Sequence, residues 1–417
     1  MTNALVSSQP TSNSPESLQE MVLAPAAELS FDVSNHVSPC LIEVMVVIVN
    51  YRTPQLTVDC LKSLESEVKI LPNLRVVVTD NDSADGSDMI IMAAIKEAGW
   101  SWAEFLPLER NGGFAYGNNF PIRRALSENA LAPYVLLLNP DTIVLPGAIS
   151  TLVSFMEQHP EAGIVGSRLQ DPDGTAQRSA FRFHTFWSEI DAGLRLDIVH
   201  KLLDRWAVAP PVVDKPCQTD WVAGASMMVR RQVFEEIGLI DEGYFMYYEE
   251  MDFSLQANKA GWVCWYVPDS RVIHLVGQSS GVTNTKEPRK RQPKYVFDSR
   301  RRYFIKNYGW LYLLIADLSI MATFPIWRTR RFLQRKPDLD PPNLLLDIFH
   351  NSFLFRGFKL SISPQESTHL KQPSGKLPLH NQYPIGLNNI FFWGLITCMS
   401  IIYTFAWLLL DLEGYIF

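Results

Sequence analysis

The sequence predicts a doubly wound α/β domain. Three observations predict it: apolar runs of strand length, helix-start signals directly after them, and polar clusters wherever a strand ends. The first run, Val44-Met-Val-Val-Ile-Val49, is continuous and β-branched, as a strand covered on both faces requires. Thr53 as N-cap and Pro54 at the first helical position then open a helix with Leu56, Cys60, Leu61 and Leu64 on one face. The second strand is Leu74-Arg-Val-Val-Val-Thr79, closed by the turn residues Asp80 to Gly86, and its helix runs to about Ala98. A loop at Asn111-Gly-Gly-Phe114, a helix to Asn129 and the strand Tyr134-Val-Leu-Leu-Leu138 form the third pair.

Beyond residue 150 the alternation loosens. Asp171-Pro-Asp-Gly174 reads as a turn between two short strands, and residues 187–215 as a helical insertion rich in Trp and Leu. Trp221-Val-Ala-Gly-Ala-Ser-Met-Met-Val229 is strand-like, with small residues where something must approach the backbone. Tyr244-Phe-Met-Tyr-Tyr-Glu-Glu-Met-Asp252 leads into a helix ending at Gly261. Residues 309–327 are apolar but carry Asp317, which suits an interfacial or core helix rather than a span. Ile390 to Leu410 is uncharged over 21 residues, against the ~20 that cross a bilayer core. It reads as a transmembrane helix, with a buried C-terminal hairpin as the alternative. The expected organisation is therefore a disordered tail (1–40), a catalytic α/β domain (41–285), a basic and apolar membrane-interface region (286–345), a linker (346–389) and the span (390–410).

Composition bounds the function. With 47% hydrophobic and 19% charged residues among 417, the chain is neither disordered, collagen-like nor a polytopic transporter. A net charge of −7 weighs against a nucleic-acid partner. The charge is uneven: residues 286–336 hold 14 Lys/Arg against 3 acids, leaving 23 basic and 41 acidic residues elsewhere. Such an island beside a span attracts anionic lipid, and its position before 390–410, with Asp411 and Glu413 after, places the main domain on the cytoplasmic face of the membrane. Cys40, Cys60, Cys217, Cys264 and Cys398 are odd in number and form no CxxC, so reduced thiols are expected, not a disulfide framework. No Lys or Arg precedes Arg52, so neither a signal peptide nor a transit peptide is expected.

Ligands of doubly wound sheets bind beyond the carboxyl ends of the strands. Three polar clusters fall there: Asn50-Tyr51, Asp80 to Gly86, and Asn139-Pro140-Asp141. Each alone is equally a bland turn; three along one rim are not. Glu249, Glu250 and Asp252 follow an aromatic stretch at a helix start, where crowding and desolvation raise at least one carboxyl pKa. A carboxylate so placed serves as general base towards a hydroxyl, although the cluster read alone is more often a solvated first turn. Asp141, after a buried strand and a rigid Asn-Pro, suits Mg²⁺ or Mn²⁺. His274, closing Val272-Ile-His274, is a core residue unless Asp141 converges with it. Asn111 to Asn119 is a glycine-rich helix entry able to meet phosphate, but no GxGxxG or GxxxxGK[ST] occurs. Together these suit in-line displacement at a sugar carbon, with a metal neutralising the leaving diphosphate and a carboxylate taking the acceptor's proton.

At this point the residues resemble a known family. Val47-Ile-Val-Asn-Tyr51, Thr79 to Ser87, Asn111 to Asn119, Leu138-Asn-Pro-Asp141, Asp220-Trp-Val-Ala-Gly-Ala225, Phe245 to Asp252 and Val272-Ile-His274 are similar, in order, to the motifs of family 2 glycosyltransferases of the GT-A fold. The rhamnosyltransferase-like branch, with Asn-Pro-Asp for the metal motif, is the nearest pattern. The resemblance implies a nucleotide-diphospho-sugar donor, dTDP-L-rhamnose by the branch, bound by Asn50, Tyr51, Asp80, Asn81, Ser83, Asn111, Gly113, Phe114, Asn118, Asn139 and Asp141, with Asp80 on the nucleobase. It implies a divalent metal at Asp141 and His274, and donor sugar and acceptor beside Trp221, Gly224 and Ala225. The base falls at Glu250, where the family usually has Asp, with Glu249 and Asp252 as alternatives. A lipid-linked or polysaccharide acceptor and membrane lipid are the implied partners. A nucleotidyltransferase is the first rival, but it would place a basic Gly-rich loop where this chain has Asn50-Tyr-Arg-Thr-Pro54; a non-catalytic membrane scaffold is the second.

Overall fold

The structure is a computed structural model that describes residues 43–275 and 290–358. The expected tail, the span 390–410, most of the linker, Cys40 and Cys398 lie outside the described residues. The first half of the domain alternates β1 (Val44–Asn50), α1 (Pro54–Ser63), α2 (Glu65–Ile70), β2 (Leu74–Asp80), α3 (Ser87–Glu97), β3 (Ala103–Pro107), α4 (Gly113–Ser127) and β4 (Tyr134–Leu138). Next come β5 (Thr142–Val144), α5 (Ala148–Gln158), β6 (Ala162–Gln170), β7 (Ala180–Phe181), α6 (Phe186–Leu194) and α7 (Asp197–Leu202). The core closes with β8 (Cys217–Thr219), β9 (Trp221–Val222), β10 (Ser226–Arg230), α8 (Arg231–Ile237), α9 (Glu249–Lys259) and β11 (Val263–His274).

The main sheet has the order β3-β2-β1-β4-β10-β6-β11-β5, with β8 also on β11. Strands β3, β2, β1 and β4 are parallel. Strand β10 runs antiparallel between β4 and β6, and β5 antiparallel on β11. The doubly wound pattern thus holds for the first four strands, and a mixed sheet continues it into the GT-A arrangement. The continuous apolar runs are explained by two-sided burial. Val44, Val46, Ile48, Val76, Val78, Leu136 and Leu138 join one core, while Met45, Val47, Val77, Val135 and Leu137 join the core on the opposite face.

Two expectations from sequence needed correction. Strand β3 was not foreseen: it is an edge strand containing Glu104 and Pro107 and is only partly buried. The run 221–229 is not one strand; it breaks at Ala223-Gly224-Ala225, so β9 pairs with β7 in a two-stranded sheet while β10 joins the main one.

The C-terminal elements are α10 (Lys294–Tyr308), α11 (Trp310–Leu333), α12 (Leu344–His350) and α13 (Phe353–Arg356). Helix α11 is the one described helix long and apolar enough to cross a membrane. Its buried face carries Leu313, Ala316, Asp317, Ile320 and Phe324, and Leu313 and Ala316 pack with Tyr303 and Phe304 of α10. Asp317 is fully buried and meets Arg300 Nη1 at 2.5 Å, while the Phe353 N–H donates to its other oxygen at 2.7 Å. That pairing accounts for an acid in mid-helix. Among the described residues six of the island's cations are paired with acids outside it: Arg291 with Asp347, Arg300 with Glu189, Arg302 and Lys306 with Asp241, and Arg328 and Arg331 with Asp338; Arg300 also pairs with Asp317 within the island. A linear count of cations overstates the charge left for lipid.

Candidate active site

Strand register builds the first part of the rim. Asn50 stands opposite Asp80 at the ends of β1 and β2. Asn50 Nδ2 donates to Asp80 Oδ1 at 2.5 Å, and the Ser83 hydroxyl and N–H donate to the same carboxylate at 2.6 and 3.0 Å. Asn50 Oδ1 accepts from the Thr53 N–H, the Thr53 hydroxyl and the Thr57 hydroxyl. Thr53 therefore occupies the cap position without capping through its side chain, because its hydroxyl donates to Asn50 instead. Asp80 and Ser83, expected against the donor, are engaged with each other and with Asn50 in this brace. Tyr51 is half-buried under the Arg52 guanidinium, 5.1 Å from its ring centre.

The glycine-rich entry to α4 forms the second part. Gly113 has φ +85°, and a Cβ there would overlap the Phe245 carbonyl oxygen. The Gly113 N–H donates to Asn111 Oδ1 at 3.0 Å, and Asn81 Nδ2 donates to the Gly113 carbonyl at 2.9 Å. The Phe114 N–H bonds the Phe245 carbonyl, and Asn118 Nδ2 bonds the Phe114 carbonyl. This loop is thus tied both to β2 and to the turn ahead of the acidic cluster.

The third part lies at the end of β4. The Asn139 N–H donates to the Ala225 carbonyl at 3.1 Å, so the break between β9 and β10 sits beside Asn139-Pro140-Asp141. Strand β11 pairs with β5 so that His274 faces Thr142, and the Leu275 N–H bonds the Asp141 carbonyl at 2.9 Å. This register brings His274 Nε2 to 3.5 Å from Asp141 Oδ1, whose side chain is 1% exposed. Gln177, missed in the sequence, holds His274 from behind: its Nε2 donates to the His274 carbonyl at 2.8 Å, and its Oε1 lies 3.3 Å from Nδ1. Nothing local marks Gln177; only the fold brings it there.

The acidic cluster opens α9. Tyr247 and Tyr248 just before it have φ +69° and +73°, a conformation costly for residues with side chains. Helix α10 supports this turn: Ser299 Oγ donates to the Met246 carbonyl at 3.0 Å, and Tyr295 packs on Phe245 and Tyr247. The three acids then separate. Asp252 is buried and bound to Lys306 Nζ and Asn307 Nδ2, both at 2.6 Å, which commits it to the α9–α10 contact and away from proton transfer. Among the described residues Glu249 and Glu250 have no salt-bridge partner. Burial drives the Glu249 carboxyl well above the ordinary range, and the charge of Glu250 adds to that. Burial pushes Glu250 up to about 6, with the Gly224 N–H pulling the other way. Burial thus raises both carboxyls, and Glu249, with the charge of Glu250 beside it, the more strongly.

Gly224 lies between the acid and the glycine-rich loop: a Cβ on it would stand 3.1 Å from Phe114 Cζ and 3.9 Å from Glu250 Cβ. The neighbouring Trp221 is stacked on Phe181 at 4.4 Å, with its indole N–H on the Arg182 carbonyl at 3.0 Å. Five buried acceptor atoms from the expected site residues find no hydrogen-bond partner: Asn81 Oδ1, Asn118 Oδ1, Asp141 Oδ1, Glu249 Oε2 and Glu250 Oε2. A buried polar atom left so costs about 1–3 kcal/mol. Acceptors of this kind call for a ligand bearing hydroxyls, N–H groups or a cation.

Comparison with known proteins gives the same direction. The sequence profile described as "Glycosyl transferase family 2" matches residues 45–238. An N-acetylglucosaminyl-diphospho-decaprenol L-rhamnosyltransferase of Mycobacterium tuberculosis is 30% identical over 49% of this chain and 68% of its own length. Rhamnosyltransferase WbbL of Escherichia coli is 25% identical over 57% of this chain and 77% of its own. Among solved structures, a mannosyltransferase of Pyrobaculum calidifontis in complex with GDP-Man and Mn²⁺ is similar at TM-score 0.47 and 13% identity, covering 77% of this chain and 81% of its own.

Proposed function

The chain belongs to glycosyltransferase family 2 and is a glycosyltransferase, and on that premise we propose that it transfers L-rhamnose from dTDP-L-rhamnose, with inversion, to a lipid-linked or polysaccharide acceptor in cell-surface glycan synthesis. The rhamnosyl donor is favoured by the names of the relatives from M. tuberculosis and E. coli and by a dTDP-rhamnosyl transferase RfbF of Shigella flexneri, 25% identical over 69% of its length. One observation carries the chemistry. Glu250 stands beside Gly224 and Phe114, while Ala225, the residue after Gly224, is bonded to Asn139 at the entrance to Asp141. Base and diphosphate end thus meet across one strand break.

In this reading the acceptor hydroxyl gives its proton to a Glu250 oxygen as its own oxygen attacks the anomeric carbon. The bond from that carbon to the diphosphate oxygen breaks, and a single displacement inverts the centre. Phe114 and Gly224 bound the space for the sugar, and the Asn81 and Asn118 carbonyls accept from donor hydroxyl or N–H groups.

Asp141 and His274 fit a divalent cation. The Asp141 Oδ1 is buried without a hydrogen-bond partner and faces the imidazole at 3.5 Å. Among the described residues no group of three or more His, Cys, Asp or Glu gathers into a metal cage, which suits Mg²⁺ or Mn²⁺ that takes one carboxylate and fills its shell from phosphate and water. When bound, such an ion neutralises charge on the leaving diphosphate. Membrane attachment at the cytoplasmic face is supported by the uncharged stretch 390–410 and by the decaprenol-linked acceptor in the first relative's name.

The test is a panel of nucleotide sugars with Mn²⁺ and the purified full chain. Thermal stabilisation by dTDP-L-rhamnose, and transfer that inverts the anomeric configuration by NMR, are expected. Stabilisation only by another donor, or retained configuration, overturns the respective part.

A further inference from the structure

A cavity of about 460 Å³ opens beside the rim, between the segment running into β7, strand β8 and the 210–213 loop. Arg178, Arg182 and Arg205 line it. Among the described residues none of the three is ion-paired to a carboxylate, whereas Arg168 nearby is paired with Asp214 at 2.7 Å. Arg178 is exposed; Arg182 bonds the Asp204 backbone carbonyl; and Arg205 lies flat on Trp206, 3.7 Å from its ring centre. The one carboxylate on the lining, Asp220, accepts the Phe183 N–H at 2.7 Å. The lining therefore keeps two positive charges in excess. Guanidinium groups in such number match the oxygens of a phosphate or diphosphate.

Two relationships place this cavity on the acceptor side. The segment 177–184 that lines it begins at Gln177, bonded to His274, and ends at His184, whose ring lies 5.3 Å from that of Tyr248 beside the base. It therefore runs from the diphosphate end of the site to the proton-accepting end. One side of the lining is apolar: Pro210 and Pro211 adjoin Val212 and Val213, which are 38% and 42% exposed. An anion site bordered by bare aliphatic surface fits an anion attached to a hydrocarbon chain.

We propose that this cavity holds the diphosphate of a lipid-linked acceptor through Arg178, Arg182 and Arg205, with the prenyl chain leaving over Val212 and Val213. The proposal rests on the lipid-linked acceptor reading above. An anionic lipid headgroup is the other source of the same chemistry.

The test uses the full chain and reads binding, not transfer. Farnesyl diphosphate is titrated calorimetrically in EDTA without donor, and dTDP-L-rhamnose separately with Mn²⁺. The variant is Arg178→Ala/Arg205→Ala, both exposed positions, which leaves the buried contacts of Arg182 in place. Farnesyl diphosphate binding weakened at least tenfold, with donor affinity unchanged, is the expected result. No binding by the wild type, or equal binding by the variant, overturns the proposal. Loss of phosphatidylglycerol vesicle binding, with farnesyl diphosphate binding intact, gives the site to a headgroup and also overturns it. Should the chain transfer no rhamnose while the variant still loses farnesyl diphosphate, the donor reading fails and this subsite stands.

Discussion

His274 Nε2 lies 3.5 Å from Asp141 Oδ1 because β11 returns antiparallel to the three-residue strand that follows Asp141. Two residues unremarkable by themselves become a pair only through that pairing. Asp141→Ala removes the buried, unpartnered oxygen and is expected to abolish Mn²⁺-dependent donor binding while the fold persists. Calorimetry of dTDP-L-rhamnose with and without Mn²⁺ checks this; unchanged affinity would remove Asp141 from the metal.

Glu250→Gln keeps the shape of the side chain and removes its basicity. Donor binding is expected to persist and turnover to fall about a hundredfold or more, the scale of a lost general base. In the wild type, turnover should decline below about pH 6 as Glu250 takes up its proton. The linkage has the opposite sign for stability. A carboxyl raised by burial favours the native state below its unfolded pKa and loses that advantage as pH rises through about 6. Glu250→Gln should therefore raise the melting temperature at pH 7.5 but not at pH 4. An unchanged pH limb together with near-normal turnover would move the role to Glu249.

Much of this site could be read before the fold was known, and the parts that could not share a cause. Asn50, Asp80, Asn111, Asn139 and Asp141 end strands or start helices, so local pattern places them on one rim. Asp252 looked equivalent to Glu249 and Glu250 because sequence shows spacing but not partners, and Lys306 arrives only by the packing of α10 on α9. Gln177 lies in a segment with no periodicity, and the stacking of Trp221 on Phe181 joins segments distant in sequence. The basic island likewise gave up part of its apparent charge to acids such as Glu189 and Asp241, distant in sequence. Local propensity is legible; long-range pairing of polar groups is not.

Gly113→Ala tests the loop between donor and base. Its positive φ and the closeness of Phe245 both exclude a Cβ, so the loop or the 245–248 turn must shift. Because Tyr247 and Tyr248 are already strained, the shift should pass to Glu250. Turnover is expected to fall more than donor affinity, whereas loss of donor affinity alone would limit Gly113 to nucleotide binding.

Deleting residues 385–417 removes the uncharged stretch but leaves the helical elements after β11. Partial release from membranes is expected. The retained fraction should largely resist a salt wash, since Arg328 and Arg331 are paired with Asp338 within the fold while Phe332, Leu333, Phe355 and Phe358 stay exposed. Complete release, or elution by salt, would count against a second, apolar contact.

Arg300 joins three helices: its Nε lies 3.2 Å from Glu189 of α6, its Nη1 2.5 Å from Asp317 of α11, and it belongs to α10, which braces the turn before Glu250. Removing one member of a buried pair costs about 3–5 kcal/mol because the other charge is stranded. Arg300→Met strands two acids, whereas Asp317→Asn strands none, since Arg300 keeps Glu189 and the Phe353 N–H keeps an amide oxygen. Urea denaturation is expected to rank Arg300→Met as clearly the more damaging. Turnover should follow the same order, because α10 carries Ser299 and Tyr295 against the strained turn. Equal destabilisation by the two variants would mean that Asp317 alone fixes α11, and that α10 is held by Asp241 and Asp252 instead.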